Sequence, residues 1–411
     1  MTTNTAVTVK PRGRHRSTAS LHRPHPRRWP FWAVTAVVFT VMAASSAPSA
    51  LYGLYQQRWH FGATMSTVIY ACYALGAILT LLLAGDLSEH IGRKGTIVSS
   101  LSVVGCSLVV FLLAPGAWAL CLARLIQGVG VGLLTSSAGA VLADLHRFRS
   151  HHVAAVANSA ATSAGIALGA VFSGVLAQYA PAPLLTPFIV LAVLCACGLA
   201  AVWVIPAWET GRGAHPTYRP GLLRMAAGLR GVLLRVIPIV TASWAVVGLY
   251  LALGVELTAT LLHTRDRALS SLVILVVQGC GGLAPILVRG LNGRAASLSG
   301  CVLLVAGVAV SVTGFGGGHV LVFFAGAAIT GAGFGLCFMG STSIVTAAAK
   351  AEGDASIVSG FFAIAYIAVS MPIVVLGVVE PWLGLQAAFS WFGLLVALFA
   401  LAAGAIAVRT R

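Results

Sequence analysis

Residues 66–95 read STVIYACYALGAILTLLLAGDLSEHIGRKG. The first twenty carry no charge, and the last ten hold Asp86, Glu89, His90, Arg93 and Lys94. At 1.5 Å per residue a helix over 66–85 spans roughly 30 Å, the thickness of a bilayer's hydrocarbon core. Its apolar residues go all the way round, with no polar stripe to face water. A charged turn then stops the run and a second apolar run begins at once. The chain therefore reads as a membrane span, a short loop and a return span.

The same grammar fills the rest of the chain. Hydrophobic residues make up 59% of the 411 residues and charged residues only 8%, against roughly 25% charged in a soluble domain. Apolar runs lie near 31–55, 66–85, 96–114, 118–142, 153–178 and 184–206. A second set lies near 236–262, 269–288, 298–315, 319–346, 356–379 and 381–408. Residues 31–50, an apolar run ending in SSAPSA, also fit a signal segment; as a first span they preserve an even count. The expected organisation is a basic tail at 1–30, six helices over 31–206, a linker at 207–235 and six helices over 236–408. The linker is rich in arginine and holds Pro216 and Pro220.

The net charge of +16 could suggest nucleic acid, but the charges sit in the wrong places for it. Seven basic residues precede the first span, and fourteen more fall in alternate loops or at the C-terminus, on the side of the tail. The opposite side holds only Arg58, Arg265 and Arg267. That is the positive-inside pattern of a plasma or inner membrane protein with both termini in the cytoplasm. The expected partners are the bilayer and a small-molecule substrate, with no nucleic acid, and the chain is expected to act as a monomer. The eight cysteines all fall in apolar stretches, without the loop spacing of disulfides or zinc sites, and read as small packing residues.

The two sets of spans look like copies. GVGVGLL at 128–134 recurs as GAGFGLC at 331–337, an offset of 203. Gly92-Arg93 recurs as Gly293-Arg294 at an offset of 201, and Tyr52 finds Tyr250 at 198. Three matches at nearly one spacing, in corresponding spans, point to duplication of a six-helix unit.

The loop GDLSEHIGRKG at 85–95 resembles the signature between the second and third spans of the major facilitator superfamily. Gly85, Leu87, Ser88, Gly92, Arg93 and Lys94 match it; Glu89 stands where Asp is usual, and His90 where Arg is usual. The resemblance implies an all-α fold of twelve spans in two six-helix bundles, working by alternating access. Gly85 would let two helices approach closely, Gly92 would allow a tight turn, and Arg93 would reach an acid ending another span. Asp144 is the candidate, making Gly85, Asp86, Glu89, Gly92, Arg93, Lys94 and Asp144 an expected conformational latch.

RLIQGVGVG in the fourth span resembles the same family's Arg-x-x-Gln-Gly segment, through Arg124, Gln127, Gly128 and Gly132. An arginine inside a span needs a partner or water. Glu256, in YLALGVELTATLL, is the one acid clearly within an apolar run and lies at a similar depth. A pair of Arg124 with Glu256 is the expected proton-coupling element, with Gln127 beside it. GIALGAVFSG at 165–174 is similar to the glycine-rich signature of drug–proton antiporters, except that Ala170 occupies the proline position. Tyr52, Tyr55, Trp244, Tyr250, Gln278 and Tyr366 are the candidate cavity residues, and Pro285 and Pro372 the expected kinks. HRFRSHH at 146–152 suggests a metal-binding histidine box, but the other histidines are scattered singly.

No nucleotide motif, catalytic cluster or added soluble domain is present. The expected function is therefore secondary transport without a cofactor, driven by a proton gradient and exporting a small, partly apolar solute. Uptake of a metabolite is the alternative, and a receptor or membrane enzyme the remote one.

Overall fold

Inside a bilayer a backbone must satisfy its own hydrogen bonds, and a helix does so within one segment. A computed structural model describes residues 29–83, 91–145, 151–205, 230–288, 290–352 and 356–409. The described residues form only helices and turns: α1 (Trp29–Ser46), α2 (Tyr52–Trp59), α3 (Ala63–Leu83), α4 (Gly92–Leu112), α5 (Ala117–Leu145), α6 (His151–Tyr179) and α7 (Thr186–Val204). Then follow α8 (Arg230–Leu261), α9 (Arg267–Ser270), α10 (Leu272–Leu287), α11 (Gly293–Gly316), α12 (Val320–Glu352), α13 (Ser356–Leu383) and α14 (Leu385–Arg409). Twelve segments among these are long and apolar enough to cross a membrane. The tail before residue 29, the loop residues Gly85, Asp86 and Glu89, the loop histidine His146 and most of the 207–235 linker lie outside the described residues.

Two boundaries differ from the expected ones. The first span breaks after Ser46 into a 3-10 turn, Ala47–Ala50, and α2 continues separately. Pro48 in that turn has no N–H to donate, so the regular ladder stops there. At the eleventh span Pro381 rides inside the last turn, and the helix ends only before Gly384, whose φ is +78°. That left-handed position suits glycine, and its N–H caps the Glu380 carbonyl at 2.8 Å.

Helix packing repeats between the halves. In the first half α1 packs on α6 and α7, α5 packs on α3 and α4, and α4 packs on α7. In the second, α8 packs on α13 and α14, α12 packs on α10 and α11, and α11 packs on α14. Each contact has its counterpart one repeat later. The halves meet where α3 lies against α13 and α6 against α10.

The duplicated glycines show why that packing is so close. A Cβ on Gly128 would stand against the Tyr73 carbonyl of α3, and one on Gly130 against α4 at Val104 and Ser100. In the copy, Gly331 and Gly335 face the Val277 and Gly281 carbonyls of α10, and Gly333 faces Gly300 and Leu304 of α11. Alternate glycines thus serve alternate neighbours. Lipid gives no hydrophobic drive between helices, so backbone approach of this kind supplies the attraction.

Candidate functional site

Pro48 sets up a buried polar cluster. A helical Ala44 carbonyl would receive the N–H of residue 48, which proline lacks. Gln127 Nε2 takes that carbonyl at 3.0 Å. One helical turn earlier on α5, Arg124 donates through Nη1 to the Ser45 carbonyl at 2.7 Å and to Gln127 Oε1 at 2.8 Å. Its Nε and Nη2 both reach the Tyr52 hydroxyl, at 3.0 and 2.7 Å. The guanidinium also lies 5.7 Å from the Tyr70 ring and 5.3 Å from the Tyr73 ring. Arg124 has no solvent exposure. Its hydrogen-bond partners are all neutral.

The expected pair with Glu256 is therefore absent. Glu256 is exposed on α8 near the end away from the chain termini, with no ion-pair partner among the described residues, and the charge acting on it is the acid Glu380 of α13. The reason is geometric. Next to the break in the first span, Arg124 finds the Ser45 carbonyl and the Tyr52 hydroxyl as partners instead.

Beside this cluster a cavity opens between the halves. It is lined from α1, the 3-10 turn, α3, α5 and α6 on one side and from α8, α10, α12 and α13 on the other. No described residue of α4, α7, α11 or α14 reaches it, so those four helices stand outside as buttresses. Trp244, Gln278 and Tyr366 line it. Trp244 stacks edge-on against Phe334 and Phe338, with centroids 5.9 and 5.6 Å apart. Tyr366 meets Tyr73 across the bundle boundary at 6.1 Å.

The other expected cavity residues do different work. Tyr52 belongs to the Arg124 cluster. Tyr55 stacks on Trp59 at 5.0 Å, and Tyr250 donates to Ser311 Oγ at 2.6 Å inside the second bundle. Sequence reasoning missed Tyr70 and Tyr73, which line the cavity from α3. Their i, i+3 spacing three residues before Gly76 was the available signal.

Against this geometry, a sequence profile described as Major Facilitator Superfamily matches residues 33–371. The chain belongs to that superfamily. Curated relatives include the uncharacterized MFS-type transporters YceJ of Bacillus subtilis, 26% identical over 47% of this chain and 48% of its own length, and Rv1250 of Mycobacterium tuberculosis, 30% identical over 26% of this chain and 19% of its own. The chain thus spans about half the length of the first and less of the second. The solved nucleoside transporter NupG is 12% identical with a TM-score of 0.71, covering 93% of this chain and 100% of its own. The Escherichia coli fucose:proton symporter FucP is 14% identical with a TM-score of 0.61, covering 91% and 98%. At such identity these two structures speak for the fold alone.

In this major facilitator protein Gly92 takes φ +78°, and Arg93 forms an ion pair with Asp144. Lys94 Nζ donates to the carbonyls of Trp203 and Ile205, at 3.1 and 2.6 Å. The two cations therefore sit at the C-terminal ends of α5 and α7, where helix dipoles favour positive charge. All of these helices belong to one bundle. The expected Arg93–Asp144 pair is present, and it ties α4 to α5 within that bundle.

Among the described residues, several contacts between the halves lie on the side away from the termini. The Tyr179 hydroxyl donates to Asp266 Oδ2 at 2.8 Å, and the Arg267 N–H reaches Gln178 Oε1 at 3.4 Å. Gly174 lies against the Arg267 carbonyl, and Gly377 against Thr67. The Tyr179 hydroxyl, then the N–H groups of Leu269 and Ala268, hold the Asp266 carboxyl below the usual carboxylate range. A lowered value means the stabilisation is present above about pH 4, the ordinary carboxylate value, and lost as pH falls through the lower folded one. Far-side closure is therefore expected to be constant between pH 5 and 8. Tyr179→Phe is expected to move the Asp266 titration up toward the ordinary value. Carbon-13 NMR of labelled aspartate reads this directly, since the chain has four aspartates; an unmoved titration removes the contact.

Proposed function

We propose that the chain is a secondary transporter that exports a small, partly apolar solute in exchange for protons, by alternating access of the two bundles. The observation that carries this reading is the cavity between the halves, walled by aromatic rings and neutral polar groups and closed on one side by contacts between bundles. The charge asymmetry of the loops supports a plasma or inner membrane location with both termini and the 207–235 segment in the cytoplasm. Reporter fusions at residue 215 and at the C-terminus test that orientation, and an external signal from either overturns it.

Export rests on the similarity of the α6 glycine stretch at 165–174 to the drug–proton antiporter signature; Gly165 and Gly169 themselves pack its backbone onto the Phe39 and Ala43 carbonyls of α1. Glu256 is the candidate proton site, acting without Arg124. A growth panel comparing expressing and deletion strains across toxic neutral aromatics identifies substrates, and everted vesicles then measure transport of a hit. Glu256→Gln is expected to keep substrate counterflow and to lose gradient-driven accumulation. Parental accumulation in that variant sinks the coupling role. Uptake is the second reading, favoured by the likeness in fold to a fucose:proton symporter. It wins if intact expressing cells accumulate the compound instead of excluding it.

A further inference from the structure

The polar atoms of the cavity wall fall into two groups. Most are already committed. Ser45 Oγ donates to the Met42 carbonyl at 2.8 Å, Ser46 Oγ to Ala43 at 3.2 Å and Thr135 Oγ1 to Val131 at 2.8 Å. The Tyr73 and Tyr366 rings lie against one another, their centroids 6.1 Å apart. Three buried atoms of the wall have no partner: Asn158 Oδ1, Trp244 Nε1 and Gln278 Oε1. Gln278 is only 2% exposed, and all three residues line the cavity.

Buried donors and acceptors are nearly always paired, so three unpaired in one cavity call for an explanation. Trp244 offers a single N–H and nothing else. The two amide oxygens accept only. The open valences thus ask for a ligand with one acceptor and one or two donors. The walls between them are ring faces and edges from Trp244, Phe334, Phe338, Tyr73 and Tyr366, which favour a flat apolar body.

Charge narrows the class further. Among the described residues, no acidic or basic side chain lines the cavity. The fixed positive charge of Arg124 lies behind the Tyr70 and Tyr73 rings, within 5.7 and 5.3 Å of their centroids. A cation in the cavity would meet that field with no carboxylate to offset it. An anion would be attracted, but it would lose its hydration shell without a direct charged donor to replace it. We infer that the cavity binds an uncharged, planar solute carrying an adjacent hydrogen-bond acceptor and donor, the chemistry of a cyclic amide or lactam, with the acceptor on Trp244 Nε1 and the donor on Gln278 Oε1 or Asn158 Oδ1. This rests on the transport reading only for its biological meaning, because binding is measured apart from transport.

The test uses the purified full-length chain in detergent, by equilibrium dialysis corrected for empty micelles. The probes share one bicyclic frame: neutral 2-quinolinone, cationic N-methylquinolinium and anionic quinoline-2-carboxylate. The expected result is at least tenfold tighter binding of 2-quinolinone than of either ion. Trp244→Phe and Gln278→Met keep ring or volume, and each is expected to weaken 2-quinolinone about tenfold, or about 1.4 kcal/mol. Their elution and melting behaviour must match the parent's for the comparison to count. Equal or tighter binding of either ion, unchanged affinity in both variants, or no binding of any probe at 1 mM overturns the inference. Binding of 2-quinolinone without counterflow in proteoliposomes leaves the inference standing and sinks the transport reading. Counterflow of a charged probe in preference does the reverse.

Discussion

Gly128→Val is expected to cost about 3 kcal/mol or more of folding stability and to leave little monodisperse protein. A Cβ at that position meets the Tyr73 carbonyl oxygen and the Ala77 nitrogen, both backbone atoms of α3. Side chains can rotate away from a new methyl, but backbone in a packed helix cannot, so the helices must separate. Overpacking of a well-filled core costs roughly 1–3 kcal/mol even where side chains yield. The repeat sharpens the expectation, because Gly331→Val should fail to a similar extent against the Val277 carbonyl of α10. Gly139, on the same helix as Gly128, has open space around it, so Gly139→Ala should gain up to about 1 kcal/mol from helix propensity. Thermal melting and gel-filtration yield measure all three. A Gly128→Val protein that melts with the parent ends the account of close packing.

The second large effect concerns Arg124, where the conservative change is expected to be the worse one. Arg124→Lys keeps a buried positive charge but loses the fork that reaches Tyr52 twice, Ser45 and Gln127 together. Hydrogen bonds to a charged group contribute about 1.5–3 kcal/mol each, and an ammonium in that place forfeits at least one of them. Arg124→Met also orphans the acceptors, yet it removes the desolvation cost of the charge, which is several kcal/mol. The expected order of melting is parent, then Met, then Lys, with Lys lower than the parent by about 3 kcal/mol. Tyr52→Phe should sit between parent and Lys, and should add little to Arg124→Met because the bond is already gone. If Lys melts with the parent, the fork geometry is not what holds the cluster.

Span count and repeat were legible because they depend on length, hydropathy and glycine spacing, which are properties of the chain alone. The pairing of Gly128 with Gly331 follows from their common offset without any knowledge of their neighbours. The facing of side chains was not legible. These helices are apolar all round, so no stripe distinguishes bundle, cavity and lipid. Tyr250 and Tyr366 therefore looked alike, yet one bonds Ser311 inside a bundle and the other lines the cavity. The Arg124–Glu256 pair failed for a related reason. Depth along a span can be counted from sequence, but the rotation of the helix about its own axis cannot. The missing clue was Pro48, whose absent N–H leaves a carbonyl in need of a donor.

Neutral partners for Arg124 also have an electrical consequence. A guanidinium without a carboxylate beside it is a net positive charge held inside the low-dielectric layer, carried on α5. One elementary charge crossing the whole membrane field exchanges about 2.3 kcal/mol per 100 mV. If rocking of the first bundle carries Arg124 across even a tenth of that field, the two conformations shift by about 0.2 kcal/mol per 100 mV. On that condition the resting voltage would bias which face the cavity presents even when the cargo itself is neutral.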